Sequence, residues 1–288
     1  MEFNVYSHTR DDLKKMPQRR RISNKGDYGR LLCVCGSVGM CGAAYLTALA
    51  AYRTGAGLVR ILTVKENLIP LQTALPEAIV SVYDSASPDV SAVLEALEWA
   101  DAVVIGCGLG RSSASRKILG AVLRNRKCPT VADADALNLI SETPSLKKYL
   151  SGIIITPHLL EMARICGCEL DEVVKDKKLA ACEFARKNGS VCVLKSHGTC
   201  VSDGSAEMYV NNCGNSGMAT AGSGDVLAGV IGGILAQNKN GELSLTEAAT
   251  LGVYIHSLAG DLAAEKLGEY SLMARDIIDA LPDVLRDA

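Results

Sequence analysis

The chain has 288 residues, 48% of them hydrophobic and 22% charged, with a formal net charge of -2 at pH 7, and this length holds one large domain or two small ones around a substantial core. So small a net charge excludes a global attraction to nucleic acid or to an acidic membrane, so an anionic ligand has to be held by local groups. The opening MEFNVYSHTRDDLKKMPQRRR contains no signal-like apolar run, and no stretch of about 18 apolar residues follows, so the protein is expected to be cytoplasmic.

From the N-terminus, short apolar runs rich in Val and Ile alternate with longer stretches of helical period, the pattern of buried parallel strands joined by helices. Strands are predicted at LLCVC (31–35), LVRILT (58–63), AVVIG (102–106), TVAD (130–133), IIIT (153–156) and VCVLK (191–195). Helices are predicted at 42–54, 89–99, 113–125, 158–166 and 171–188. Beyond Lys195 the pattern changes: TCVSD and AEMYV flank Asp203 and Gly204 as a hairpin, and three helices follow at about 225–237, 244–267 and 272–285. No linker-like stretch or repeat divides the chain, which points to one domain over 1–288. The eleven cysteines are scattered without a CxxC pair or a matching His cluster, and read as small buried thiols of a reducing compartment.

In such sheets ligands sit beyond the carboxyl ends of the strands. The segments there are polar or rich in glycine: GSVGMCGA (36–43), GCGLG (106–110), DADALN (133–138), TPHLLE (156–161) and KSHGT (195–199). The stretch from Gly214 to Gly233 carries seven glycines and one charged side chain, Asp225. Gly222, Ser223 and Gly224 can turn their amides onto an anion at the start of a helix, whose dipole adds positive potential. A carboxylate beside such a phosphate cradle suits the acceptance of a proton from a hydroxyl attacking phosphorus; the competing role is a helix N-cap.

Lys195 is placed to emerge at the same crevice as a point charge for a phosphate, with the Gly198 amide and Thr199 hydroxyl as further donors, or to stand exposed at a hairpin corner. Thr156 is a candidate N-cap with Pro157 at the first helical position, which sets His158 and Glu161 on one face, able to orient a polar substrate and hold a hydrated Mg²⁺. GCGLG is a weak fragment of a dinucleotide fingerprint, Asp133 or Asp135 reads as a cap of the next helix, and Arg19 to Arg21 as a solvated segment.

These motifs occur in a set order, from NKGDYGRLLCVCGSVGMCGAAYLTALAAYRTGAGLV (24–59) through IGCGLGRS, DADALNLI, TPHLLEMARICG and VLKSHGT to GNSGMATAGSGDVLAG. In that order they resemble the ADP/ATP-dependent NAD(P)H-hydrate dehydratase family, a branch of the ribokinase-like superfamily, over almost the whole chain. The resemblance implies a three-layer α/β/α sandwich with a mostly parallel central sheet. It also implies a hydro-lyase that returns the S epimer of hydrated NADH or NADPH to the reduced cofactor, with ADP or ATP as co-substrate and Mg²⁺, by phosphorylation of the hydroxyl and loss of phosphate.

In the family pattern Asp225 takes the hydroxyl proton. Ala43, Gly108 and His158 join it around the hydrated nicotinamide; Lys195, Ser196, His197, Gly198, Thr199 and Gly224 meet the nucleotide; and Glu161 meets a Mg²⁺-bound water. Leu160, Ser196, Ser216 and Ala221 depart from that pattern. A homotetramer is implied, as is a separate NAD(P)H-hydrate epimerase as functional partner, because too few residues precede Lys25 for the fused epimerase domain of some relatives. A kinase of the same superfamily acting on a vitamin-precursor alcohol would share Asp225 and the anion site, but KGDYG and MCGA (40–43) resemble only the dehydratases. A nucleotide sensor without turnover would have no use for Asp225.

Overall fold

The computed structural model describes residues 2–286 and Ala288. Ten strands form one sheet: β1 (Asn4–Tyr6), β2 (Arg30–Val34), β3 (Leu58–Val64), β4 (Ile79–Tyr83), β5 (Ala102–Ile105), β6 (Thr130–Ala132), β7 (Ile154–Ile155), β8 (Val191–Leu194), β9 (Cys200–Ser202) and β10 (Glu207–Val210). Their order is β1-β10-β9-β8-β7-β6-β5-β2-β3-β4. The run from β8 to β4 is parallel, and β9 lies antiparallel to both β8 and β10. The predicted hairpin is therefore present as β9 and β10.

Among the described residues eleven α-helices cover the sheet: α1 (Cys41–Thr54), α2 (Leu68–Ala74), α3 (Val90–Trp99), α4 (Ser113–Asn125), α5 (Asp135–Glu142), α6 (Leu159–Cys166), α7 (Leu170–Lys175), α8 (Lys177–Asn188), α9 (Ser223–Gln237), α10 (Leu245–Leu267) and α11 (Ala274–Val284). The pleat sends alternate strand residues to two layers. In β2, Leu31 and Cys33 pack into the core that contains α1, α9, α10 and α11, whereas Leu32 and Val34 pack into the core of α3, α4, α5, α6 and α8. Burial on both faces is why the strands read as unbroken apolar runs. Cys33, Cys35, Cys107, Cys182, Cys192 and Cys200 are buried as expected of small apolar thiols, but Cys41, Cys128, Cys168 and Cys213 are only partly buried and Cys166 is exposed.

Several elements depart from expectation. The helix predicted at 171–188 is two helices broken at Asp176, whose extended backbone (φ -147°, ψ 83°) lets its carboxylate accept the Leu179 N–H at 3.0 Å as the cap of α8. Strands β1 and β4 were not predicted because both are partly exposed sheet edges that lack the continuous apolar run of a central strand. Helix α2 is seven residues long and contains Pro70, so it carries little helical period.

The connection from β2 runs through α1 to β3 and β4 on one side, and the chain then returns to β5 on the other side of β2. The direction of winding thus reverses between β2 and β5, where the loops diverge and leave a crevice at the carboxyl ends. Helix α9 lies across this region. Its small residues let it sit tight: a Cβ on Gly229 would stand 2.2 Å from the Thr47 carbonyl oxygen of α1, and one on Gly232 would stand 2.4 Å from Val104 Cγ2 of β5.

Candidate active site

At the carboxyl end of the sheet, α1, α5 and α9 all begin without a side-chain cap: their N-cap residues are Met40, Ala134 and Gly222. Of the other helices, α3, α4, α6, α8 and α10 are capped by Asp89, Ser112, His158, Asp176 and Ser244, while α2 and α11 also start without a side-chain cap bond. Open first-turn amides with the positive end of the helix dipole form an anion site. The glycine-rich entry to α9 serves this geometry, since Gly222 takes φ 89°, a left-handed conformation that side chains disfavour.

Asp225 is the third residue of α9 and not its cap. Burial, reinforced by the charge of Asp133 nearby, pushes its carboxyl up to about 6, against the opposing pull of Cys107 and Lys195. One ligating atom from each of Cys107, Asp133 and Asp225 falls in a group whose members all lie within 4.8 Å of one another. Such a group could suggest a metal centre, but its chemistry is wrong for one. Lys195 Nζ stands 2.6 Å from Asp133 Oδ1 and fills the cationic role, and a hydrogen bond to Cys35 together with burial holds the Cys107 thiol well above its ordinary range, so it stays protonated.

Lys195 follows β8 and its backbone N–H donates to the Pro157 carbonyl at 2.8 Å. Burial alone would lower its pKa, but the charges of Asp133 and Glu161 outweigh that and raise it, so the ammonium is firmly protonated. A Cβ on Gly224 would stand 3.3 Å from this ammonium, so Gly224 brings the α9 backbone directly beside it. The rest of the loop closes on itself: Thr199 Oγ1 donates to the Ser196 carbonyl at 3.1 Å, Gly198 takes φ 67°, and Lys177 of α8 braces the loop at Ser196 Oγ (3.2 Å) and the His197 carbonyl (3.0 Å). The His197 side chain is exposed.

His158, not Thr156, is the N-cap of α6: its Nδ1 accepts from the N–H groups of Leu160 and Glu161, both at 3.2 Å, and its own N–H donates to Glu161 Oε2 at 2.9 Å. The expectation fails because Pro157 lies before the helix and the imidazole reaches the amides itself, while the Thr156 hydroxyl is buried without a partner. Glu161 is 5% exposed, and burial raises its pKa while Lys195 pulls it down. On the other side of the crevice, Gly108 (φ 60°) turns against α1, where an added Cβ would stand 2.7 Å from Ala43 Cβ.

The structure therefore brings Asp225, Gly224 and Lys195 into one cluster, with Ala43 and Gly108 meeting at the β2/β5 crevice and His158 beside Lys195 through a parallel bridge. Two contributors were read in the sequence only as helix caps, and a third went unnoticed there. Asp133 does not cap α5 but pairs with Lys195; Asp135 accepts the Gly110 N–H at 2.8 Å and ties GCGLG in place; and buried His256 of α10 sets Nε2 3.4 Å from Ser223 Oγ, its burial lowering it to about 4 so that it is neutral. The repeated Asp in DADALN was the available signal for the first two. Between them Ala134, with φ 48°, is the one non-glycine residue of positive φ among the described residues, a strain of about 1–3 kcal/mol stored at the cluster. KGDYG lies elsewhere, packed under the C-terminal end of α9, where a Cβ on Gly29 would stand 1.7 Å from the Ala236 carbonyl oxygen. Two surface cavities of about 320 and 390 Å³ are lined by none of the cluster residues.

The family model for NAD(P)H-hydrate dehydratase matches residues 31–283, which takes in every segment of this cluster. This chain belongs to the NAD(P)H-hydrate dehydratase family. It is 38% identical to the ADP-dependent (S)-NAD(P)H-hydrate dehydratase of Neisseria meningitidis, over 91% of this chain and 86% of that protein. It is 41% identical to the bifunctional NAD(P)H-hydrate repair enzyme Nnr of Escherichia coli, over 93% of this chain and 49% of that protein, so the chain spans about half the length of such bifunctional relatives. The fold is ribokinase-like, as expected. The crystal structure of the ADP/ATP-dependent NAD(P)H-hydrate dehydratase of Bacillus subtilis, co-crystallised with ATP and Mg²⁺, superposes with a TM-score of 0.82 at 27% identity, covering 98% of each chain. Among the described residues no helix is long and apolar enough to cross a membrane.

Proposed function

We propose that this chain, acting as one dehydratase domain, removes water from the S epimer of hydrated NADH or NADPH at the expense of ADP or ATP, with Asp225 as the general base. The observation that carries the reading is a half-buried carboxylate with a pKa near 6 on the first turn of an uncapped, glycine-opened helix, beside a partly buried ammonium. A group of that acidity is ionised at neutral pH yet basic enough to take a proton in a transition state.

The nucleotide phosphates lie against the first-turn amides of α9 at Gly224, with Lys195 and the 196–199 loop supplying further donors. The hydroxyl of the hydrated ring gives its proton to Asp225 as its oxygen attacks the terminal phosphorus, and the bond from that phosphorus to AMP (or ADP) breaks. The carbon–oxygen bond then breaks, with the ring nitrogen supplying electrons and phosphate leaving. Loss of a proton from the neighbouring carbon restores the dihydronicotinamide. Ala43, Gly108 and His158 line the ring side of the crevice.

The donor set around Glu161 suits an outer role toward a metal: both its oxygens already face His158, and no second carboxylate joins it in a ligand group among the described residues. A Mg²⁺ would ride on the nucleotide phosphates with Glu161 meeting one of its waters, and there it would neutralise phosphate charge. Co-crystallisation of the Bacillus subtilis enzyme with ATP and Mg²⁺ supports a nucleotide co-substrate accompanied by Mg²⁺. The bifunctional relatives support partnership with an epimerase that supplies the S epimer. The test is recovery of dihydronicotinamide absorbance from hydrated NADPH with Mg²⁺ and ADP or ATP in parallel; recovery with either nucleotide is expected, and no recovery with both contradicts the reading.

A further inference from the structure

Asp133 is the member of the polar cluster with no task in the chemistry above. It is 1% exposed, and a carboxylate so buried beside another acid is costly unless paired. Its Oδ1 holds Lys195 Nζ at 2.6 Å, while Oδ2 turns toward Cys107 Sγ (3.9 Å) and the space above Gly224, 3.7 Å from where a Cβ on that glycine would stand. The placement is enforced by the strained Ala134 and by Asp135, which is anchored to the Gly110 amide. One ammonium therefore sits between a buried acid on one side and the anion-binding turn on the other.

We propose that Asp133 is a positioning residue: it parks the Lys195 ammonium beside the first turn of α9, and when a nucleotide phosphate draws that ammonium away, the uncovered charge of Asp133 makes Asp225 a stronger base. This rests on the dehydratase reading, and it makes nucleotide arrival the event that arms the base. Asp225 is faced by Cys107 from the loop after β5, by Asp133 and Asp135 from the β6–α5 turn and by Lys195 from the loop after β8. Behind the turn lies neutral His256 of α10, and Glu161 of α6 faces Lys195. Of these groups only the Lys195 ammonium is a cation that a phosphate can claim, so its departure is felt most by the acid it leaves.

The test is a ¹³C carboxyl NMR titration of Asp225, its signal assigned by its loss in Asp225→Asn. The wild-type midpoint is expected at about 6. Asp133→Asn, which keeps the shape and accepting oxygen, should move it down, and Lys195→Met should move it up, each by roughly tenfold in ionisation constant. Saturating ADP should raise the wild-type midpoint, and raise it less in Asp133→Asn. The double variant Asp133→Asn/Lys195→Met, which removes both charges of that pair, should stay near the wild-type value and respond to ADP as weakly as Asp133→Asn. Movement of both single variants in one direction, or an equal ADP-induced rise in wild type and Asp133→Asn, would overturn the proposal. The titration needs no turnover, so an absent dehydratase reaction with this pattern intact counts against the proposed activity alone.

Discussion

The two ends of α9 use the same residue for opposite purposes. At the N-terminal end, Gly222 and Gly224 leave amides open and bring the backbone beside Lys195. At the C-terminal end, Gly29 from KGDYG lets the chain press onto the Ala236 carbonyl, and the polar groups beside it tie segments of the chain together, as Lys239 does by donating to the Gly26 carbonyl at 3.1 Å. With 15 residues, the helix separates the two ends by about 22 Å. Glycine in a motif thus marks close approach of backbone, and only the neighbouring charges decide whether the approach serves a ligand or a core.

This contrast can be broken by substitutions at each end. The largest effect is expected from Gly29→Ala, which forces a Cβ onto backbone in a left-handed conformation: stability should fall by about 3 kcal/mol or more while kcat per folded molecule stays unchanged, as chemical denaturation and an active-site count would show. A fall in kcat with stability intact would make that end functional. At the other end, Asp225→Asn should raise stability by about 1–3 kcal/mol at pH 8. The sign follows from the raised pKa: the folded state binds the Asp225 proton more tightly than the unfolded chain, so wild type loses this contribution as pH rises through about 6, and the variant loses that slope in pH-dependent melting.

Activity carries the same acid limb. The kcat/KM of wild type should fall about tenfold per pH unit below about 6, and a limb near 4 would mean that Asp225 is not the group titrating. The smallest change is expected at the brace of the nucleotide loop. Lys177→Ala removes the contacts to Ser196 and His197 and should weaken ADP binding by about 1 kcal/mol, roughly fivefold by calorimetry. An unchanged Kd would show that the loop is fixed by Thr199 alone.

Much of this was legible in the chain. Central strands such as LLCVC and VCVLK announce themselves because both faces are buried, and the glycine-rich approach to Asp225 announces an open helix start. What stayed hidden depends on contacts between distant segments. That Asp133 meets Lys195, 62 positions away, is set by the sheet order, in which only β7 separates β6 from β8. His256 sits unremarked in a long apolar helix until α10 packs against the start of α9. His158 took the cap from Thr156 because side-chain reach, rather than residue preference, settled the matter. Edge strands β1 and β4 were lost because exposure removes the apolar run by which a strand is read.

The most direct measurement is the rate of dihydronicotinamide recovery by Asp225→Asn beside wild type, with ADP affinity measured for both. If Asp225 is the base, the variant binds ADP and recovers cofactor at least about 10²-fold more slowly. Recovery at the wild-type rate, with ADP bound equally well, would place the base elsewhere and contradict the account.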